Sequence, residues 1–185
     1  MYLVIDCGNT SIKTYYFENS HLQNSQRYAL SEVSKLLHDI GQNKAITQAI
    51  FCSVSYNTSL LKQIQSIVPC IEFNHTTKIP LINNYSSPQT LGPDRLAAAI
   101  GAETLAPACN KLIFDFGTAI TIDFVSEDGI YHGGNISPGL HTRCKSLQQN
   151  TQLLPLITDF SNHSLTGKST LEAIKNGVVL GIIYE

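Results

Sequence analysis

The 185-residue sequence predicts an α/β protein assembled from a duplicated unit, and three observations carry that expectation. An apolar run ending in Asp-x-Gly occurs twice, as Leu3-Val4-Ile5-Asp6-Cys7-Gly8-Asn9-Thr10 and as Leu112-Ile113-Phe114-Asp115-Phe116-Gly117-Thr118-Ala119. Each copy precedes a second β-rich run, so each reads as a buried strand entering a tight turn, with glycine free to take positive φ. Helical periodicities alternate with short apolar runs in the first half, the order of a mixed sheet with crossover helices.

Taken in order, residues 2–6 and 12–18 read as two strands joined by the turn Cys7–Ser11, and β-branched and aromatic side chains support the second. A short third strand is expected near Gln26–Leu30. Val33, Leu36, Leu37 and Ile40 lie on one helical face, with Ser31 as N-cap and Gly41 as stop. Ala49–Val54 reads as a buried strand, Ser59–Val68 as a helix ended by Pro69, and Ile71–Phe73 as a short strand. Periodicity stops from Asn74 to Thr90, and a loop of that length in a compact domain is often functional. A helix begins at Pro93 and ends before Pro107.

The second half then repeats the opening. Leu112–Phe116, Ile120–Val125 and Ile130–Ile136 read as strands, with Asp128-Gly129 as a hairpin turn. Ser137 and Pro138 are expected to open a helix carrying Leu140 and Leu147, and Gln148–Thr166 to be loop-rich. Ser169 and Glu172 form a capping-box signature for a helix that runs into the last residue, Glu185.

Composition limits the function classes. The chain is 43% hydrophobic and 14% charged with a formal net charge of -2, which fits a folded protein. No Lys/Arg block stands out, arguing against a charge-built nucleic-acid or membrane surface. No apolar stretch is long enough to span a bilayer, and Asp6 within the first apolar run argues against a signal peptide. Five cysteines (Cys7, Cys52, Cys70, Cys109, Cys144) form no CxxC pair and read as reduced thiols of a cytoplasmic protein. The six histidines (His21, His38, His75, His132, His141, His163) show no metal-binding spacing and read as surface or loop residues.

Three motifs carry candidate chemistry. In the Asp-x-Gly turns, backbone N–H groups with Asn9, Thr10 and Thr118 can bind phosphate oxygens. Asp6 and Asp115 suit Mg²⁺ or another hard cation, and Lys13 can reach a phosphate as a point charge. Gly92-Pro93-Asp94-Arg95 opens a helix, where Asp94 suits a general base and Arg95 offers a planar fork to a carboxylate. A first-turn acid with a surface arginine partner accounts for the same two residues. Gly133-Gly134-Asn135-Ile136-Ser137-Pro138-Gly139 is explained by close approach to a ligand or, almost as well, by a strand end before an N-cap. Gly167-Lys168-Ser169-Thr170 lacks the earlier glycine of a P-loop, which is Asn162 here. No GxSxG supports a serine hydrolase.

Together, Asp6-x-Gly8-Asn9-Thr10-x-x-Lys13, Tyr85-x-x-Pro88-x-x-Leu91-Gly92-Pro93-Asp94-Arg95, Asp115-x-Gly117-Thr118-Ala119 and the Gly133–Gly139 motif stand in the order seen in type III pantothenate kinases. The sequence resembles that family over nearly its whole length. The resemblance implies the actin/sugar-kinase/heat-shock ATPase superfold: two ribonuclease-H-like α/β domains with mixed sheets and a nucleotide cleft between them. The first would span 1–110 and the second 111–185, incomplete at its C-terminal end because family members continue with further strands and helices.

It further implies ATP-dependent phosphorylation of pantothenate, the first step of coenzyme A synthesis. ATP would be bound by Asp6, Cys7, Gly8, Asn9, Thr10, Ser11, Ile12, Lys13 and Thr118, with Mg²⁺, and Asp115 would hold a monovalent cation, K⁺ or NH₄⁺. Pantothenate would be bound by Tyr85, Gly92, Pro93, Asp94, Arg95 and Thr170, with Asp94 as proton acceptor. Family members are homodimers with the pantothenate site near the subunit interface. Two alternatives stay open on the residues alone: another small-molecule kinase or nucleotide hydrolase of this superfold, or a non-catalytic ligand-binding paralogue or fragment.

Overall fold

A computed structural model describes residues 1–54, 58–162 and 164–185, so the expectation for His163 falls outside the described residues. The chain opens with strands β1 (Tyr2–Cys7), β2 (Ser11–Glu18) and β3 (His21–Ala29), followed by helix α1 (Val33–Gln42), strand β4 (Gln48–Ser53), helix α2 (Thr58–Gln65) and strand β5 (Cys70–Phe73). These strands form a five-stranded sheet in the order β3-β2-β1-β4-β5. The first three strands meander antiparallel, whereas β4 and β5 join parallel to β1 through the crossover helices. One core cluster lies under α1 and α2, where Leu3, Ile5 and Cys7 of β1 meet Leu36, Ile40, Leu60 and Ile64.

Two-residue strand β6 (Ile82–Asn83) interrupts the long loop, and helix α3 (Pro93–Leu105) follows it. Strands β7 (Lys111–Phe116), β8 (Ala119–Val125) and β9 (Ile130–Pro138) then repeat the opening meander, ahead of helices α4 (Leu140–Asn150) and α5 (Thr170–Ile183). The second sheet runs β6-β9-β8-β7, with β6 parallel to β9. A loop residue pair thus becomes an edge strand of the second sheet. The segment from Leu81 to Ala99 lies between the sheets, sharing a core cluster with Cys52 and Phe73 from the first and Val125 and Tyr131 from the second. A third cluster, around Cys144, Ile157, Ile174 and Val178, holds α4 against α5.

Several elements depart from expectation. Strand β3 begins five residues before the expected Gln26, because His21–Gln26 is polar, exposed and bonded to β2 along one edge only. Ser31 lies inside a 3-10 turn, and the capping bond there is made instead by Glu32, whose carboxylate accepts from the Ala29 N–H at 2.8 Å. Helix α1 continues through Gly41 to Gln42, so that glycine is interior and not a stop. Ser137 and Pro138 do not open a helix: Ser137 pairs with Ile120 and Pro138 with Ala119 at the end of β9, where a missing N–H is tolerated. Gly139 is the true N-cap of α4, which extends to Asn150 into the stretch expected to be loop. Ser169 does cap α5, its hydroxyl accepting from the Glu172 N–H, while Glu172 reaches the Lys168 N–H instead of that of Ser169. Helix α5 ends at Ile183, short of the last residue.

The duplication is real in topology and unequal in surroundings. Leu3, Ile5 and Cys7 are buried, whereas the residues at the same offsets from the second aspartate, Leu112, Phe114 and Phe116, are exposed. No helix of the described residues is long and apolar enough to cross a membrane.

Candidate active site

The two turns of the repeat define the donor side of the site. The first has three residues between its strands, Gly8, Asn9 and Thr10, and is closed by the Gly8 N–H donating to the Ser11 carbonyl at 3.1 Å. The second has two, Gly117 and Thr118, closed by Gly117 N–H on the Ala119 carbonyl at 2.9 Å. The single-residue difference changes the cross-strand partner of the aspartate: Asp6 faces Lys13, whereas Asp115 faces Thr121. Neither Gly8 nor Gly117 has the positive φ expected of it. A Cβ at Gly8 would meet its nearest neighbour, the Ser11 carbonyl, at 3.5 Å, and one at Gly117 would meet the Ala119 carbonyl at 3.6 Å, both ordinary contacts. The fold itself therefore does not demand glycine at either turn, and the bare backbone leaves room for a group outside the chain.

Side-chain direction sorts the first turn. Alternation along β1 sends Cys7 into the core under α1 while Asp6 points to the other face. Ser11 and Ile12 are also buried, and the Ser11 hydroxyl accepts from Arg27 Nε at 3.0 Å, so Cys7, Ser11 and Ile12 can meet a ligand only through backbone. Asn9 and Thr10 are exposed. Lys13 Nζ lies 3.7 Å from Asp6 Oδ2, both groups partly exposed.

Two carboxylates from other elements, Asp94 and Asp115, act on Asp6 here. Burial raises the Asp6 carboxyl above its ordinary value, Lys13 lowers it, and the charges of Asp94 and Asp115 raise it again. Burial, with Asp6, Asp94 and Cys7 adding to it, pushes the Cys52 thiol up to about 12, so this neighbour of Asp6 in β4 stays protonated and inert. Surplus negative charge at Asp6, Asp94 and Asp115 is a setting that a cation would relieve. Among the described residues no three His, Cys, Asp or Glu side chains form a complete metal site. That donor set fits Mg²⁺, which takes one or two carboxylates and completes its shell with phosphate oxygens and water.

The acceptor side is built by the long loop and the start of α3. Gly92 is the N-cap and Pro93 the first helical residue, so Asp94 sits in the first turn. Its Oδ1 accepts from the Arg95 N–H at 2.9 Å. Arg95 does not present its fork to solvent. It is buried, and its Nε and Nη2 donate to both oxygens of buried Asp123 at 2.5–3.2 Å. Tyr131 completes the group by donating its hydroxyl to Asp123 Oδ1 at 2.7 Å. Although burial works against it, Asp123 holds the Arg95 guanidinium firmly charged, and burial followed by the bond to Asp123 raises the Tyr131 phenol. Tyr85 lies with its ring 5.7 Å from the Arg95 guanidinium carbon and 6.3 Å from the Tyr131 ring.

This arrangement corrects two expectations. The surface partnership of Asp94 with Arg95 is replaced by a buried pair between Arg95 and Asp123, and the Arg95 fork is occupied from within the chain. The Gly133-Gly134 pair serves packing: a Cβ on Gly133 would stand 2.8 Å from the Tyr85 ring, and one on Gly134 would overlap the Ile122 carbonyl. Sequence reasoning missed Asp123 and Tyr131. The available signal was an aspartate at the centre of the apolar strand Ile120–Val125, where a charge needs a buried partner.

The second turn is pinned from the C-terminal side, since Gly139 N–H and Thr142 Oγ1 both donate to the Thr118 carbonyl. Asp115 and Thr118 are exposed at that turn. Thr170 is exposed at the first turn of α5, and among the described residues no hydrogen bond joins it to Tyr85 or Gly92–Arg95.

Two mixed sheets with strand β1 and its counterpart β7 each leading into an Asp-x-Gly turn define the actin/sugar-kinase/heat-shock ATPase fold. The chain aligns with a Campylobacter jejuni protein described as a Baf family transcriptional activator at a TM-score of 0.66 and 23% identity, over 98% of this chain and 76% of that one. A Sinorhizobium meliloti protein described as a 2-dehydro-3-deoxygalactonokinase aligns over the whole chain and 79% of its own length, with a TM-score of 0.53 and 12% identity. Residues 2–185 match the family described as Type III pantothenate kinase, and the chain belongs to that family. It is 38% identical to the Type III pantothenate kinase of Cytophaga hutchinsonii over all of this chain and 77% of that protein. It is 41% identical to that of Azobacteroides pseudotrichonymphae, over all of this chain and 76% of the relative.

Proposed function

We propose that this protein transfers the γ-phosphoryl group of ATP to pantothenate, giving 4'-phosphopantothenate at the first step of coenzyme A synthesis. The observation that carries the reading is the match to this kinase family over residues 2–185, in a chain whose acceptor-side Asp94 and second-turn Asp115 both act electrostatically on the first-turn Asp6.

The backbone of Gly8–Thr10, with Asn9, Thr10 and Lys13, receives the ATP phosphates, and Thr118 adds a donor from the second turn. Asp6 would hold Mg²⁺, and Asp115 would hold the monovalent cation, K⁺ or NH₄⁺; when bound, they would supply positive charge against the charge that develops on the phosphoryl oxygens. Tyr85 and Gly92–Asp94 seat pantothenate with its primary hydroxyl toward Asp94. As the hydroxyl oxygen bonds to the γ-phosphorus, the bond to the β–γ bridging oxygen breaks and Asp94 takes the hydroxyl proton. Most of the acceleration comes from positioning and electrostatics, so Asp94 supplies only part of it.

The two functional halves are residues 1–110 and 111–185, in a cytoplasmic homodimer. Thr170, exposed at the first turn of α5, joins the acceptor side, and its exposure accords with a pantothenate site near a subunit interface.

Incubation with ATP, Mg²⁺, K⁺ and a panel of hydroxy-acids and sugars, read by mass spectrometry and ADP release, tests the reading. Phosphopantothenate as the main product is expected. ADP release that is independent of pantothenate, or faster with another acceptor, would overturn it.

A further inference from the structure

We infer that Asp123 is a positioning residue, whose carboxylate holds the Arg95 guanidinium so that Asp94 and Tyr85 keep a fixed relation to the second sheet. The inference deepens the phosphotransfer reading above and rests on it for its kinetic consequences.

A buried carboxylate paired with a buried guanidinium is poor evidence of stabilisation, because removing both charges from water is expensive and an apolar pair often serves as well. What such a pair does supply is one fixed geometry. Here the geometry is highly specified. Arg95 meets Asp123 side-on through Nε and Nη2, and Tyr131 takes a remaining position on Oδ1. Asp123 is 1% exposed and Arg95 is 5% exposed, so no water route competes with these bonds.

The position of Asp123 on β8 matters as much as its bonds. Asp123 pairs with Ile113 of β7, and directly opposed residues share a sheet face. Alternation puts Asp115 on the same face, two residues further along β7. Arg95 therefore ties the first turn of α3 to the face that carries Asp115. Asp94 is the preceding residue, and its carboxylate accepts from the Arg95 N–H. Any shift of Arg95 is felt at Asp94 through one peptide unit and one hydrogen bond. Tyr85 rests against the same guanidinium and against Tyr131. One buried carboxylate thus sets both the proton acceptor and the aromatic wall of the acceptor pocket. With Nε and Nη2 committed, Nη1 is the only guanidinium nitrogen not bonded to Asp123, so Arg95 acts on the substrate chiefly by holding its neighbours.

The test uses Asp123→Asn and Tyr131→Phe in the enzyme, with steady-state kinetics for both substrates and ring resonances of ¹³C-labelled tyrosine. Asp123→Asn is expected to lower kcat ten- to a hundredfold with KM for ATP within twofold of the original. Tyr131→Phe, which leaves no charge unpaired, is expected to lower kcat two- to tenfold, and both variants to shift the Tyr85 resonances. The double variant Asp94→Asn/Asp123→Asn should lose far less than the product of the two single losses, because Asp123 acts on turnover mainly through Asp94. Multiplied losses in the double variant, or kcat losses that only track the folded fraction, would make the pair merely structural and overturn the inference. A tighter KM for pantothenate in Asp123→Asn, showing a substrate that competes for the Arg95 fork, would also overturn it. If Asp123→Asn does not fold, Tyr131→Phe decides. If the unaltered protein does not phosphorylate pantothenate, the functional reading fails, and the Tyr85 resonances still decide the positioning: unshifted signals in both variants end it.

Discussion

Gly133 lies against the ring of Tyr85: a Cβ at position 133 would stand 2.8 Å from Tyr85 Cδ2, and the residue's φ of +87° already suits glycine alone. Loop and hairpin therefore meet through the one side chain too small to interfere. Replacing Gly133 with Ala should cost about 1–2 kcal/mol for the left-handed backbone alone. That is a fall of roughly 2–8 °C in Tm at this chain length. Displacement of Tyr85 should raise KM for pantothenate about tenfold and leave KM for ATP within twofold. Equal changes in both constants would show that Tyr85 does not line the acceptor side.

Asp94→Asn offers a cleaner separation of base from scaffold. Asn Oδ1 can still accept from the Arg95 N–H, so the first turn of α3 keeps its hydrogen bond. Thermal stability should stay within about 2 °C, the shift of ~0.5 kcal/mol in a domain of this size. Turnover should fall by roughly 10²–10⁴, the range for removal of a general base. Rates near the original at all pH values would remove Asp94 from the base role.

The charge cluster around Asp6 links function to stability. Burial, with Asp94 and Asp115, raises its folded-state carboxyl above the ordinary 3.8 despite the opposing pull of Lys13. A carboxyl raised on folding favours the folded state at pH below its unfolded value, and that contribution is lost as pH rises through the raised value. Asp6→Asn should therefore make the ligand-free protein more stable at neutral pH, read as a higher Tm. It should also flatten the pH dependence of Tm above 3.8 and abolish Mg²⁺-dependent nucleotide binding. Calorimetry showing a lower Tm at pH 7 would mean the Lys13 contact outweighs the burial and the like charges.

The fold was legible wherever one face of an element is buried. The periodicity of Leu36, Leu37 and Ile40 and the apolar runs of β1, β4 and β8 report half-burial directly, whereas the apolar residues of β7 are mostly exposed. β3 was largely hidden because its side chains through Arg27 are exposed, and its register comes from backbone bonds to β2. Ser137-Pro138 misled because the same two residues suit a helix start and a strand end, and only pairing with Ala119 and Ile120 distinguishes them. At the site, Asp6, Asp94 and Asp115 were visible as motif aspartates beside turns or a helix start. The Arg95–Asp123 pair joins residues 28 apart in sequence, and no local pattern records such a partner. The glycines at 133 and 134 stand out in the sequence, but their cause is Tyr85 on one side and the Ile122 carbonyl of the paired strand on the other.

Asp115 and Asp6 stand in different surroundings. It ends β7 exposed, opposite Thr121, where Asp6 has Lys13 as its neighbour. Among the described residues the first aspartate has an ion-pair partner and the second has none, so in the proposed reaction the monovalent cation is assigned to the second. Asp115→Ala should leave Tm within about 2 °C, since an exposed side chain with no ion pair contributes within ~0.5 kcal/mol. Turnover of the unaltered protein should rise steeply as K⁺ or NH₄⁺ is titrated into a buffer containing only a bulky organic cation. In Asp115→Ala that activation should be lost, with kcat reduced about 10–100-fold at saturating K⁺, the effect of removing one electrostatic stabiliser of the transition state. An unchanged K⁺ activation curve in the variant would move the cation to another group.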